Sequence, residues 1–172
     1  MGKWNMKIRK SSRKDIKEIM AIFKTAREYM IEHGNETQWG DGYPGEEILK
    51  TDIDAGNSYV IVNNEAIVGT FSFIIGEEPT YQVIKNGKWT DDRDYGTIHR
   101  LASNGTVKGI ARACFEYCIR QIDYIRIDTH MDNISMKTAI ERFGFQKCGN
   151  IYVRGRAERI AYDYIFTNNR TN

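Results

Sequence analysis

The sequence predicts a single α/β domain built around one mixed, mostly antiparallel sheet of six to seven strands flanked by helices. Short runs rich in β-branched and aromatic residues predict the strands. Segments with apolar residues three to four positions apart lie between them and predict the helices. The 172 residues contain no repeat, low-complexity stretch or linker, so we expect one domain over residues 1–172, with 1–5 and 167–172 as flexible ends.

The composition is that of a folded protein and does not indicate nucleic acid or a membrane as a partner. Apolar residues make up 41% of the chain and aromatic residues 12%, which is enough apolar surface for a core. The 25 Lys and Arg residues nearly balance the 23 Asp and Glu residues, so neither nucleic acid nor a membrane surface is expected as a partner. No stretch approaches ~18 apolar residues and no signal peptide begins the chain, so a cytoplasmic location is expected.

The three cysteines do not suggest a disulfide framework or a metal site. Cys114 and Cys118 are four residues apart on one predicted helix, where they are expected to be small core residues. The three histidines, at positions 33, 99 and 130, form no metal-ligand spacing with each other or with the cysteines. We therefore expect no metal.

The first elements are a strand, a helix and a loop. "MKIRK" predicts a short strand, and Ser12 followed three residues later by Asp15 predicts a capping box. A helix follows, and "HGNETQWGDGYPG" ends it with glycines and a proline. The residues predicted to form its buried face are Ile16, Ile19, Met20, Phe23, Ala26 and Met30.

A second helix and a hairpin come next. "EEILKTDIDAG" predicts a shorter helix with Ile48, Leu49 and Ile53 on its core side. "SYVIVNNEAIVGTFSFIIG" predicts two strands joined by a turn at Asn63 and Asn64. A polar stretch with Trp89 and "DDRD" then leads to the second half of the chain, with no structure predicted for it.

The second half begins with a strand, helix, strand unit. "YGTIHRLAS" and "YIRIDTHM" predict strands on either side of a helix, and such a crossover makes the two strands parallel. "DNISMKTAIERFGF" predicts a helix that ends at Gly144 and uses Ile134, Met136, Ala139, Ile140 and Phe143 as its core face. "FQKCGNIYV" and "RIAYDYIF" predict two final strands.

The loop "NGTVKGIA", residues 104–111, has the chemistry of a phosphate site. Its glycines allow a close backbone approach, and the helix that follows directs free N–H groups and a positive dipole end toward the loop. It is not a Walker A motif, because Gly109 follows Lys108 where Ser or Thr is required. By itself, the loop is equally explained as a tight turn into a helix.

Two segments resemble the GNAT superfamily of N-acetyltransferases, in the right order and over nearly the whole chain. "TIHRLAS" followed by "TVKGIARACFEYC" is similar to the acetyl-CoA motif of that superfamily, with Gly109 and Ala111 at its small-residue positions. "DTHMDNISMKTAIERFGF" resembles the later block of strand, Asn, helix and Gly-Phe, with Asn133 at the Asn position. The resemblance implies a sheet whose central parallel strands splay apart.

The resemblance also implies acetyl-CoA as the acetyl donor. Its pyrophosphate would bind the backbone N–H groups of the loop, with charge added by Lys108 or Arg112. Its pantetheine arm would pair with free backbone of the fourth strand near Leu101 and Ala102, and the Asn133 side chain would reach the same arm. An oxyanion would be stabilised by an N–H near Leu101 or Ala102. The implied coenzyme-binding residues are Leu101, Ala102, Ser103, Thr106, Lys108, Gly109, Ile110, Ala111, Arg112 and Asn133.

The chain departs from the family pattern at two positions. Thr106 stands where the motif usually has Arg or Gln, which removes one side-chain contact with phosphate but leaves the backbone cradle. Ile140 stands seven residues after Asn133, where the family often has a tyrosine that protonates the leaving thiolate. A thiol with a pKa of ~8.5 is a fair leaving group near neutral pH, so the missing acid need not stop the reaction.

The expected reaction is direct attack of a primary amine on the thioester. An amine of pKa ~10.4 is mostly protonated at pH 7, so a general base is needed. His99 is the first candidate because it precedes the expected thioester position, and an ordinary histidine titrates close to neutral pH. Glu77 and Glu78 come next and His130 after them, while the competing interpretation of His99 is a structural strand histidine.

The acceptor is expected to be a small molecule or a peptide. Trp39 and Tyr43 in the first loop and Tyr152 on a late strand are candidates for the acceptor pocket, and packing anchors are the alternative explanation. An acyl-CoA-binding sensor or partner module without turnover is the alternative function. The sequence leaves the acceptor and the oligomeric state open, with a homodimer as one option.

Overall fold

The computed structural model describes residues 5–40, 42–153 and 155–167. Most of the two ends that were predicted to be flexible, residues 1–4 and 168–172, lie outside the described residues. The strands are β1 (Met6–Lys10), β2 (Ser58–Asn63), β3 (Ala66–Ile75), β4 (Gly96–Ser103), β5 (Tyr124–Thr129), β6 (Gln146–Val153) and β7 (Ala157–Ile165). The α-helices are α1 (Ile16–Glu32), α2 (Glu46–Asp54), α3 (Ile110–Ile119) and α4 (Ile134–Phe143), and short 3₁₀ turns lie at Arg13–Asp15 and Pro79–Tyr81.

The described strands form one open mixed sheet in the order β1-β2-β3-β4-β5-β7-β6. Every neighbouring pair is antiparallel except β4 and β5, which are parallel and are joined through α3. This confirms the predicted α/β class and the parallel pair in the centre of the sheet. The described helices include none that is long and apolar enough to span a membrane.

Two hydrophobic clusters cover the two faces of the sheet. On one face, α1 and α2 pack Ile19, Phe23 and Leu49 against Val60 of β2. On the other, α3 and α4 pack their apolar faces against the next residue, Ile61. The alternation follows from the two-residue period of a strand. Cys114 and Cys118 are buried on the α3 side as free thiols, as predicted.

The start of α1 agrees with the predicted capping box. The Asp15 carboxylate accepts a hydrogen bond of 2.8 Å from the Ser12 N–H, and the Asp15 N–H donates to the Ser12 carbonyl at 2.9 Å. Two hydrogen bonds from the Arg9 guanidinium also fix this carboxylate. These bonds lower the pKa of Asp15 below its ordinary value, with the Arg9 contact as the largest cause.

The β2–β3 turn lies one residue later than predicted. Asn63 is still paired, opposite Ala66, and the turn consists of Asn64 and Glu65. Both turn residues have positive φ, 48° and 68°, as a two-residue hairpin turn of the primed type requires. The sequence alone did not show which asparagine would take the left-handed conformation.

Ile134 is wrongly predicted as part of the core face of α4. It is 63% exposed, whereas Ile140 is fully buried. At 100° per residue, Ile134 lies about 200° from Met136 and about 180° from Phe143, so it points away from the sheet. Gly144 ends the helix with φ of 114°, as predicted.

The segment between β3 and β4, residues 76–95, is an ordered strap rather than a featureless polar stretch. Its aromatic side chains enclose the buried guanidinium of Arg126, whose carbon lies 4.2 Å from the centre of the Trp89 ring and 4.0 Å from that of Tyr95. The same guanidinium donates a 2.8 Å hydrogen bond to the Asp91 carbonyl. These contacts hold the strap against the sheet beside the end of β3, where Glu78 lies.

Candidate functional site

The central parallel strands separate after a short pairing. β4 and β5 are in register only from Gly96 opposite Ile125 to Ile98 opposite Ile127. Directly after this point, β4 contains a bulge, because both Arg100 and Leu101 lie opposite the single residue Phe71 of β3. A bulge bends a strand and increases its twist, so it accounts for the gap that opens between β4 and β5.

One edge of β4 is free in this gap. The Asn104 N–H donates to the Val68 carbonyl of β3 at 3.0 Å. Because backbone groups of successive strand residues point to opposite edges, Leu101 and Ser103 present theirs to the gap. Ala102 lies opposite Thr70 and points its backbone to β3. The structure therefore corrects the expected free backbone at Ala102 and assigns the free edge to Leu101 and Ser103.

A cavity of about 270 Å³ lies where the strands separate. It reaches from the start of α4 to the loop between α1 and α2. Aliphatic and aromatic side chains, among them Trp39, Ile98 and Leu101, form its apolar wall. The polar residues that line it are Gln38, Glu78, Thr80, His99, Arg100, Asp128, Thr129, Asn133 and Arg159.

The loop after β4 leaves a row of amides available. Gly109 precedes α3 in a left-handed conformation, with φ of 84°. In the described part of the chain, none of the backbone N–H groups of residues 107–112 donates a hydrogen bond to another protein group. Together with the dipole of α3, these N–H groups form a surface suited to an anion.

The polar side chains near this loop differ in whether they already form hydrogen bonds within the protein. Thr106 is used locally, because its N–H and its hydroxyl both donate to the Asn104 side chain, at 3.1 and 2.7 Å. Arg112 forms a 2.9 Å hydrogen bond with Glu116 one turn along α3, on the exposed surface. Lys108 is exposed beside the loop, so it is the predicted side chain best placed to approach a phosphate.

Asn133 caps α4 and lines the cavity. Its Oδ1 accepts from the Met136 N–H at 3.2 Å, and its Nδ2 donates to Gln38 Oε1 at 3.0 Å. Gln38 thereby ties the α1–α2 loop to the start of α4. The side chain predicted to contact the pantetheine arm also has a structural role that the sequence analysis did not assign to it.

His99 and Glu78 form a pair at the inner end of the gap. His99 Nε2 lies 3.1 Å from Glu78 Oε1, and both side chains are about four-fifths buried. Glu78 Oε2 also accepts from the N–H and the hydroxyl of Thr80, at 2.7 and 3.0 Å. These contacts, that of His99 foremost, lower the pKa of Glu78 to about 2.

Of the two glutamates predicted as alternative bases, the structure brings only Glu78 into the cavity. Glu77 is exposed and does not line it. The difference follows from the 3₁₀ turn at Pro79–Tyr81, which Glu78 caps through its side chain. Adjacent carboxylates in a sequence cannot be told apart until such a turn points one of them inward.

His130 lies at the edge of the site rather than at the branch of the strands. Its Nδ1 accepts from the Asp132 N–H at 3.0 Å, and its Nε2 lies 3.3 Å from the Thr37 hydroxyl. Burial, followed by the nearby charge of Arg159, lowers the pKa of His130 below its ordinary value. Both ring nitrogens are in use, so His130 is a poor candidate for a base.

Asp128 and Arg159 are buried charged residues of the cavity that the sequence analysis missed. The Tyr81 hydroxyl donates to Asp128 Oδ2 at 2.6 Å, and Arg159 Nε lies 3.9 Å from Asp128 Oδ1. Arg159 also donates a 2.9 Å hydrogen bond to the Gln38 carbonyl. The three side chains come from separate elements, so no local pattern linked them.

A second buried ion pair joins α2 to β4. Arg100 donates from Nε and Nη2 to the two oxygens of Asp52, each at 2.9 Å, and the exposed fractions of the two side chains are 8% and 7%. The Ser72 hydroxyl donates to Asp52 Oδ2 at 2.7 Å. The hydroxyl of Tyr43 accepts from Arg100 Nη1 at 3.2 Å.

The three predicted acceptor residues separate into two groups. Trp39 and Tyr43 line the cavity, although Trp39 is also packed edge-on against Phe23, with ring centroids 5.7 Å apart. Tyr152 does not line this cavity; it lies in an open surface cleft with Val83 and Lys85. Adjacent residues of β6 face opposite sides, and it is Val153 that lines the cavity.

Ile140 is completely buried in the α3–α4 cluster, so α4 offers no acidic group at that position. The described residues also contain no group of three or more His, Cys, Asp or Glu side chains that could hold a metal ion.

Known structures share this architecture over nearly the whole chain. A GNAT-family acetyltransferase from Streptococcus agalactiae is 28% identical, with 95% of this chain and 96% of that chain covered and a TM-score of 0.88. A protein from Staphylococcus aureus, provisionally named an acetyltransferase, is 25% identical over 92% of this chain and 97% of that chain, with a TM-score of 0.68.

A more distant neighbour shares the fold alone. The ribosomal-protein-S18-alanine N-acetyltransferase from Escherichia coli is 12% identical over 97% of this chain and 99% of that chain, with a TM-score of 0.61. No protein-family model and no curated protein matches the sequence. The chain therefore has the GNAT fold, its predicted resemblance to this superfamily is confirmed, and its neighbours support acetyl transfer.

Proposed function

We propose that this GNAT-fold chain transfers an acetyl group from acetyl-CoA to a primary amine of a small molecule or peptide. One observation carries the proposal: β4 and β5 separate at a point occupied by the His99–Glu78 pair, and the gap between them leads to the row of free amides at residues 107–112. An anion site and a buried base thus lie at opposite ends of one gap.

The free edge of β4 fits the donor. The pyrophosphate binds the N–H groups of residues 107–112, and Lys108 adds a positive charge. The pantetheine arm follows the gap and pairs with the Leu101 carbonyl and the backbone of Ser103, as an added strand would, which leaves the Leu101 N–H free. This arrangement brings the thioester to the inner end, beside His99.

His99 then acts as the general base. A neutral His99 that donates from Nε2 to Glu78 has Nδ1 left to accept a proton, directly or through one water. As the amine nitrogen attacks the thioester carbonyl, a C–N bond forms and the amine proton passes to His99. Glu78, ionised at every pH well above about 2, stabilises the imidazolium that results.

The intermediate collapses with loss of the coenzyme A thiolate. The N–H of Leu101 faces the gap and is the donor best placed to stabilise the oxyanion of the intermediate. The C–S bond then breaks and coenzyme A leaves as the thiolate, because α4 carries Ile140 rather than an acid at the family position. The proton held by His99 returns to solvent, from which the thiolate is protonated, and this restores the neutral base. A thiol pKa of ~8.5 makes this departure feasible near neutral pH.

The acceptor approaches from the side of Trp39 and Tyr43. Asp52 and Asp128 are each paired with a guanidinium there, whereas Glu78 faces only histidine and neutral donors, so the cavity favours a cationic amine. Fold neighbours from Brucella melitensis and Escherichia coli are named ribosomal-protein-alanine N-acetyltransferases. Peptide amines therefore remain in the proposed acceptor class.

Two measurements test this function. Coenzyme A is expected to raise the melting temperature because it binds the folded state, and pantetheine, which lacks the pyrophosphate, is expected to do much less. Release of free thiol from acetyl-CoA is then measured with polyamines, amino acids, aminoglycosides and peptide N-termini. Equal thermal shifts from both ligands would contradict the phosphate site.

The buried Ile140 also favours a second candidate, an acyl-CoA-binding module without turnover. It predicts a thermal shift with coenzyme A but no thiol release with any amine, whereas the transferase predicts both.

A further inference from the structure

We infer that the Asp52–Arg100 ion pair is a positioning device that holds β4 in its bulge and so directs the Leu101 N–H into the gap. The inference rests on the proposed function, since it concerns the amide assigned to the oxyanion. Asp52 and Arg100 are positioning residues in this arrangement, because they act through the backbone of Leu101 rather than on the reacting atoms.

Arg100 has a backbone conformation that its side chain disfavours. Its φ is +53°, in the left-handed region, where a Cβ atom crowds the following carbonyl. Among the described residues, the other non-glycine residues with positive φ lie outside the strands, whereas Arg100 lies inside β4. Such a conformation persists only where the surroundings enforce it.

The surroundings of Arg100 do enforce it. The two hydrogen bonds to Asp52 fix both the position and the plane of the guanidinium, and the Ser72 hydroxyl fixes Asp52 in turn. Both side chains are more than nine-tenths buried, so leaving the bulge would separate two charges away from water. The ion pair therefore opposes relaxation of the strand to an ordinary conformation.

The backbone conformation of Arg100 determines the orientation of the peptide group that follows it. The plane that carries the Leu101 N–H is attached to the Cα of Arg100, so the dihedral angles of Arg100 determine where that N–H points. If Arg100 relaxed to an ordinary strand conformation, the bulge would disappear and the amide would turn. Asp52 on α2 thus controls a backbone donor of β4, 48 to 49 residues away in the sequence.

Two double variants isolate this effect: D52N/R100A and D52N/R100G. Both lack the ion pair, and the asparagine that replaces Asp52 retains an oxygen for the Ser72 hydroxyl without a buried charge. They differ by one methyl group, at a position where glycine adopts positive φ freely and alanine does not. Circular dichroism first establishes that both are folded.

The expected result is that D52N/R100G has a kcat about tenfold higher than D52N/R100A, with KM for acetyl-CoA within about twofold, since the conformational difference acts on the oxyanion donor. Equal kcat values would overturn the inference. They would mean that the ion pair acts through packing or acceptor binding, since both variants lack its charges to the same extent.

A second measurement does not depend on turnover. The carbonyl ¹³C resonance of bound [1-¹³C]acetyl-CoA is expected to shift downfield in the wild type and in D52N/R100G, and less in D52N/R100A. Equal shifts in all three proteins would contradict the inference while leaving the proposed function intact. If the wild-type protein bound no acetyl-CoA, the proposed function itself would fail, and the inference with it.

Discussion

His99 Nε2 lies 3.1 Å from Glu78 Oε1, at the point where β4 leaves β5. His99 is on β4, whereas Glu78 belongs to the strap of residues 76–95. The Tyr95 hydroxyl accepts a 2.8 Å hydrogen bond from the Glu78 N–H, which links the backbone of Glu78 to the aromatic side chains around Arg126. A buried carboxylate beside a histidine, at the end of a gap between strands, has the geometry of a supported general base.

Replacing Glu78 with Gln is expected to lower kcat by about 10- to 100-fold, because the variant lacks the charge that stabilises the His99 imidazolium. The acid limb of the pH–rate profile should shift as well. Steady-state kinetics from pH 5 to 9 would measure both.

The matched control is E77Q, the same change one residue earlier at an exposed position. It should leave kcat within about twofold. A similar loss in E77Q and E78Q would mean that neither carboxylate acts through His99.

Stability should depend on pH through Glu78. Its folded-state pKa, about 2, is below its ordinary value of 4.5, so its ionised form stabilises the fold above pH ~5 and this contribution disappears as the pH falls toward 2. The contribution is on the order of 2–3 kcal/mol at most. The difference in free energy of unfolding between wild type and E78Q, from urea titrations, should fall by more than half between pH 7 and pH 3. A constant difference would show that another property of the side chain is responsible.

Gly109→Ala should weaken coenzyme A binding by tenfold or more, because a side chain would enter the row of amides proposed to bind the pyrophosphate. Calorimetric titration of the folded variant measures this.

Gly105→Ala is a matched control, since Gly105 also has positive φ, 78°, and its added Cβ would meet no atom within 4 Å. Both variants should lose about 1 kcal/mol of stability from the strained backbone, but only Gly109→Ala should lose affinity. Wild-type affinity for coenzyme A in Gly109→Ala would mean that the loop is only a tight turn and not a phosphate site.

Asn133→Ala is expected to have two effects. Loss of the cap on α4 should cost about 1 kcal/mol of stability, and loss of the amide should raise KM for acetyl-CoA more than it lowers kcat.

Asn133→Ser separates the two, because serine caps a helix but lacks the amide. It should keep most of the stability and still show the raised KM. Recovery of both properties by serine would leave the cap as the only role of Asn133.

Much of the fold was predictable because local patterns determine it. Each strand and helix was identified from residue type and period, and the parallel pair followed from a strand, helix, strand unit. The errors were local in kind: the hairpin turn moved by one residue to Asn64 and Glu65, and Ile134 pointed outward. In both cases the neighbouring residues favour two alternatives almost equally: two positions of the turn, or two directions for a residue on the helix.

The candidate site was predictable only along single segments. The loop "TVKGIA", Asn133 and His99 were predicted from a glycine-rich segment before a helix, a family resemblance and a strand position, which are all properties of contiguous sequence. Tyr152 was predicted as a candidate for the acceptor pocket, but it is the adjacent residue of β6, Val153, that lines the cavity. Whether a strand residue faces a site is decided by the sheet to which the strand belongs.

The sequence by itself determined the elements and their order, because hydrophobic period, capping residues and glycines act over a few neighbouring positions. Only the tertiary structure decided which of two adjacent glutamates joins His99, that Asp52 pairs with Arg100, and that Asp128 meets Tyr81 and Arg159. These partners lie 21 to 48 residues apart in the sequence, and a charged side chain carries no local signal of the group that will neutralise it. Burial supplies that information, since a charge removed from water is stable only beside its partner.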